Sequence, residues 1–244
     1  MDNWKYIILI LTILLTGFLM LQLKISTRNW TKHFLSFGGA FMLALCVFHL
    51  FPAIYHHDEQ ITGMLIMAGF LFQLLLDFIS GGIEHGHVHL HPVEKHKVYF
   101  PKAIFAGLCA HAFFEGMPLA TDHIHGHSTE GLVWGIVFHN VPVTVALTTL
   151  LLSGNVRKKF IYLSLLVFAL MTPSGALLIH LIDQNTALIH DLEELGHFSL
   201  AFVIGIFLHI STTILFEADK EHHFNLIKFL TILLGILLAF FSGH

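Results

Sequence analysis

Charge is what this chain has least of. Only 11% of its 244 residues are Asp, Glu, Lys or Arg, while 55% are hydrophobic; soluble domains carry about 25% charged residues. The imbalance excludes an ordinary soluble globule and reads as an integral membrane protein. Cysteine is almost missing. Cys46 and Cys109 both fall inside apolar runs, too few for a disulfide framework and silent about redox compartment. A basic surplus is missing too: the net charge of −4 gives no surface for nucleic acid. The apolar runs also lack strand-like alternation, which excludes a closed barrel and leaves helix.

What is present is eight apolar runs, at 6–23, 34–54, 61–79, 103–120, 131–152, 160–180, 197–216 and 225–241. Each is of a length that crosses a hydrocarbon core of about 30 Å as helix. They predict an all-α polytopic membrane protein, one transmembrane domain over 1–244. The first run has no small-x-small cleavage site and leads into Lys24 and Arg28, so it reads as a retained span rather than a signal peptide.

The few basic residues fall in alternate loops. Lys24, Arg28 and Lys32 lie between runs one and two; Lys95, Lys97 and Lys102 between three and four; Arg157, Lys158 and Lys159 between five and six; Lys220 and Lys228 around the loop before run eight. Lys5 alone lies on the other side. With basic loops cytosolic, both termini face outward. The loop at 80–101 is then cytosolic, and it holds His85, His87, His89, His91 and His96 with Glu84 and Glu94. Alternating histidines of this kind bind transition metals loosely. The outward loops collect His56, His57, Asp58 and Glu59, then Asp122, His123, His125 and His127, then Asp183, His190, Asp191, Glu193 and Glu194, with no Lys or Arg. Such a surface attracts cations.

Ionisable groups inside spans call for a reason. His111 and Glu115 are four apart and share one helix face. An imidazole and a carboxylate aimed at one point suit a borderline divalent cation such as zinc. His139, midway along the next run, is a third candidate ligand. His111 and His139 each lie about 12 Å from an end of their spans, near mid-depth. The two runs are joined by a short outward loop and are expected as antiparallel neighbours. Pro118 and Pro142 remove the helical partners of the Phe114 and Phe138 carbonyls, and freed carbonyls mark cavities in transporters. His49 and His209 stand late in runs two and seven and read as packing residues with hydrogen bonds. Asp77, near the inner end of run three, reads as a metal way-station or an interfacial acid.

These residues resemble the ZIP family of divalent-metal transporters. His111, Glu115 and Gly116 match its span-four His-x-x-x-Asp/Glu-Gly pattern; His139 and Pro142 match part of its span-five His-Glu-x-Pro-His-Glu. Gly38-Gly39-Ala40-Phe41 through His49-Leu50-Phe51-Pro52 is similar to its second span. The resemblance implies eight spans in a 3+2+3 arrangement with an inverted repeat, outward termini, a cytosolic histidine loop and a homodimer. It implies a site of His111, Glu115 and His139, completed by water or Asn140. Five positions depart from the pattern: Asn140 stands for an acid, Val143 for a fourth ligand, Thr144 for the Glu that often follows, Ala112 for a polar residue, and Ala53 for the acid after the His-x-x-Pro of span two; span six has no carboxylate. The expected function is inward transport of a divalent transition metal across a cell membrane by alternating access, zinc first, with Fe2+, Mn2+ or Cd2+ as other cargo. Two other readings stand beside it: a membrane-embedded zinc hydrolase, and a metal-binding sensor that does not transport.

Overall fold

The computed structural model describes residues 4–23, 28–54, 59–80, 98–120, 128–184, 192–217 and 226–242. Among these there is helix and no strand. The histidine loop, including His85, His87, His89 and His91, lies outside the described residues, as do His56, His57 and Asp58, and 121–127 and 185–191 in the other outward loops.

Helix α1 is Trp4–Leu23. Helix α2 runs Arg28–Leu45, passes through a π turn at Cys46–Leu50 and ends in Phe51–Ile54. Then come α3 (Glu59–Ser80), α4 (Lys102–Gly116, tightening to a 3-10 turn at Met117–Ala120), α5 (Ser128–Ser153), α6 (Lys158–Gln184), α7 (Leu192–Glu217) and α8 (Leu226–Phe241). The first seven are long and apolar enough to cross a membrane. Helix α8 has 16 residues, about one turn less. Their lipid-type faces are apolar outward: Met64, Met67, Leu71, Leu75 and Phe78 of α3 are all exposed, which in water would be an aggregation surface and in a bilayer is solvation.

The helix pairings carry an internal symmetry. Helix α3 packs on α7 as α8 packs on α2, and α4 packs on α6 as α5 packs on α1. The exchange of α1 with α6, α2 with α7, α3 with α8 and α4 with α5 therefore carries these main pairings onto one another, while the packing of α3 on α4 has no comparable counterpart between α5 and α8. Consecutive helices run in opposite directions, so the two halves are related as an inverted repeat. Two groups result: α2, α3, α7 and α8 on one side, α1, α4, α5 and α6 on the other.

One expectation is corrected here. Helices α4 and α5 are not packed neighbours: α4 rests on α3 and α6, α5 on α1 and α2, and the two hardly approach each other. Their facing side chains fill the space between them. The reason is small residues elsewhere. A Cβ at Gly116 would overlap the Thr172 carbonyl, and one at Gly175 the Phe113 carbonyl, so α4 and α6 meet backbone to backbone as small-residue membrane interfaces do.

The proline breaks are also resolved locally. Pro118 has no N–H, but the 3-10 turn brings the Met117 N–H onto the Phe114 carbonyl, so that carbonyl is not freed after all. One turn on, the Leu119 carbonyl accepts from Lys5 Nζ at 2.6 Å and from the Tyr6 hydroxyl at 3.2 Å. Lys5, the exception to the charge pattern, is thus buried as a cap on the C-terminal end of α4. In α2, the π turn precedes Pro52 and the Phe51 N–H reaches the Cys46 carbonyl. His49, inside that turn, donates from Nε2 to the Ala239 carbonyl of α8 at 2.8 Å, a packing role.

Gly175→Ala is expected to lower stability by about 1–3 kcal/mol, the usual cost of overpacking, through its clash with the Phe113 carbonyl. Gly63→Ala, with open space around it, is expected to leave stability unchanged. Thermal unfolding of the two variants in detergent checks the pair.

Candidate metal centre

The site begins with the helical repeat. His111 and Glu115 occupy successive turns of α4, and His111 Nε2 lies 2.9 Å from Glu115 Oε1. His139 comes across from α5, its ring centroid 5.6 Å from that of His111 at an interplanar angle of 77°. One ligand atom from each of the three lies within 4.8 Å of the others. All three side chains are buried, at 1%, 0% and 1% exposure. A tetrahedral zinc site places ligand atoms about 3.3 Å apart, so small side-chain rotations bring the three onto one ion.

Each ligand helix is pinned by the aromatic ring that precedes its ligand. Phe114, beside Glu115, packs on Phe72 of α3 at 4.8 Å and on Phe202 of α7 at 5.2 Å. Phe138, beside His139, packs edge-on against Phe37 and Phe41 of α2 at 5.0 and 5.2 Å. Such pairs add rigidity beyond their buried area. They fix the rotation of α4 and α5, and with it the aim of the ligands.

The electrostatics are unusual. Neither oxygen of Glu115 accepts a hydrogen bond among the described residues, and the 2.9 Å approach to His111 Nε2 does not have hydrogen-bond geometry. A buried carboxylate without such bonds is costly. Two ligand atoms in contact but aimed past each other are what one edge of a coordination shell looks like, not an internal hydrogen bond.

One residue was missed by sequence reasoning. Gln73 of α3 is fully buried, and its Oε1 lies 3.0 Å from His111 Nδ1. The only signal for it was a polar amide inside an apolar run, which nothing in its spacing ties to His111.

Other candidates land elsewhere. Asn140 is buried and its Nδ2 makes no hydrogen bond among the described residues; as the residue after His139, it projects about 100° around the helix from it. One and two turns further along α5, Thr144 and Thr148 are fully buried with hydroxyls that make no hydrogen bond among the described residues. Thr172 of α6 shares this state, whereas Thr149 bonds back to the Val145 carbonyl, Thr12 to Ile8 and Thr213 to His209. Asp77 lies apart from the three ligands, its Oδ2 at 3.7 Å from His209 Nε2. Val143 and Ala112, two of the departures from the motif, are buried in one apolar cluster with Leu108 and Leu147.

Comparison with known proteins identifies the family. The model of the ZIP zinc transporter family matches residues 102–243. Zinc transporter ZIP9 of Micropogonias undulatus is 27% identical over 164 residues, 64% of this chain and 52% of that protein. Zinc transporter ZIP9 of Xenopus tropicalis is 26% identical over 168 residues, 66% of this chain and 54% of that protein. The chain therefore spans about half the length of these relatives. The family match covers more than half of the chain, from the helix that carries His111 and Glu115 to the last helix, and a polytopic α-helical architecture goes with it: the chain belongs to the ZIP zinc transporter family.

Proposed function

We propose that the protein carries a divalent transition metal, zinc in the first place, across a membrane into the cytosol, and that His111, Glu115 and His139 hold the ion midway. The observation that carries this reading is the meeting of two imidazoles and a carboxylate from two helices inside an apolar bundle. A carboxylate in hydrocarbon costs roughly 2.5–3.5 kcal/mol on insertion scales, and a divalent cation offsets that cost.

The route follows from the polar groups on either side. Acid-rich outward loops gather the cation, and it sheds water as it enters the cluster. Asn140, Thr144 and Thr148 recur every fourth residue along α5, and in the topology given by the basic loops they lead from the site toward the cytosol. Their unsatisfied polar groups suit a hydrated path more than a dry one. Release asks that binding be moderate, and three protein ligands with an open position meet that need. The two helix groups, each of which the inverted repeat maps onto itself, would move against each other to change which side is open. The loop histidines His85, His87, His89 and His91 would receive the ion.

Purified protein in liposomes is expected to take up radiolabelled zinc, and Glu115→Ala to lose at least 90% of that uptake together with one equivalent of bound zinc per chain. Replacing the four loop histidines by Ala is expected to keep the mid-membrane equivalent. Uptake by Glu115→Ala equal to the parent would remove Glu115 from the site. The α5 path has its own check. In a background with Cys46→Ala and Cys109→Ala, Thr148→Cys is expected to react with a water-soluble methanethiosulfonate at least five times faster than Thr149→Cys. Equal rates would mean that the Thr148 side is dry.

A further inference from the structure

We infer that Gln73 is the positioning residue of the metal centre: its side-chain carbonyl fixes the tautomer of His111 so that Nε2 is the ligating nitrogen. This rests on the metal-site reading above and goes one step past it.

The argument is one of donors and acceptors. Gln73 Oε1 lies 3.0 Å from His111 Nδ1, and both groups are buried. With its oxygen toward the ring the amide can only accept, which assigns the hydrogen to Nδ1. In a neutral imidazole the other nitrogen is then the one with a lone pair. That nitrogen, Nε2, is the one 2.9 Å from Glu115 Oε1, in the cluster with His139. The same carboxylate cannot do this work from its own side, because it is a ligand candidate itself. A neutral amide also leaves the charge of the site to Glu115 alone, whereas a second buried acid would strengthen binding and slow release.

The contact has a further property. Gln73 sits on α3, in the group α2, α3, α7 and α8, while His111 sits on α4, in the other group. The orienting hydrogen bond therefore spans the seam between the two helix groups. His111 is held in its ligating form only while the groups are in the arrangement seen here.

Two experiments test this. In metal-free wild-type protein, 15N NMR of His111 is expected to show the Nδ1–H tautomer; the Nε2–H tautomer would overturn the inference, since Gln73 would then be turned to donate from its NH2. In titrations with Zn2+ alone, Gln73→Met, which keeps the volume and removes the acceptor, is expected to weaken binding 10- to 100-fold, the usual effect of losing such an orienting partner. Gln73→Glu restores the acceptor and is expected to recover affinity to within about threefold of wild type or better. Gln73→Met at wild-type affinity, or Gln73→Glu as weak as Gln73→Met, would overturn it; a purely structural amide would tolerate the buried charge worst. If wild-type protein binds no zinc, or Glu115→Ala binds as wild type does, the metal-site reading fails, and the NMR result still decides the tautomer.

Discussion

The arrangement of this bundle turns on one unpaid charge, the Glu115 carboxylate at zero exposure among apolar helices. In a bilayer no solvent reaches it, and no hydrogen bond from the described residues relieves it. Two imidazoles stand close to it, and backbone packing fixes the helix that carries it. His111 sits one turn away, His139 faces it from α5, and the close backbone packing of α4 on α6 holds the far side of α4 in place. A bundle optimised only for packing would have placed an aliphatic side chain at this position. A carboxylate at this position fits the proposed role of Glu115 as a cation ligand.

That need also explains why α4 and α5 stay apart. Helices that pack tightly leave no room for an ion and its remaining waters. Here each ligand helix is clamped to other partners, α4 through Phe114 to Phe72 and Phe202, α5 through Phe138 to Phe37 and Phe41. The ligands then project into the space between two helices that do not close on each other. The departures from the family pattern fit the same picture. Ala112 and Val143 face into one apolar cluster, so the place where a further ligand set would stand is filled by hydrocarbon packing. The two changes are physically coupled, because a lone polar group at either position would have been buried without a partner. One compact three-ligand site is what this packing leaves.

Much of this was legible from residues alone, for reasons that can be named. Helix lengths follow from runs of apolar residues bounded by charge, as in the 22-residue α3 between Glu59 and Ser80. The His111–Glu115 contact follows from the helical repeat. What was not legible depends on which faces meet. Gln73 is 38 residues from His111, and no periodicity joins an amide to an imidazole on another helix. The separation of α4 from α5 depends on Gly116 and Gly175 drawing α4 toward α6, a preference that loop length does not express. Pro118 marks a break correctly, yet the 3-10 turn returns a donor to the Phe114 carbonyl, so a missing N–H need not leave an open acceptor. Lys5 broke the charge pattern because the C-terminal end of α4 needed a cation on its last carbonyls.

The seam between the two helix groups carries the last step. An inverted repeat gives two halves that can exchange roles, so the two end states of a transporter are related by the same symmetry that relates the halves. A contact at the site that is weaker in one state would favour release on that side, and such a contact has to break at little cost. A hydrogen bond between neutral groups contributes about 1 kcal/mol net, far less than a ligand bond to the ion. The Gln73–His111 contact is of that strength and crosses the seam at the ligand itself. Under the proposed transport mechanism, motion along the seam would act on affinity through the aim of one imidazole, without any ligand having to leave its helix.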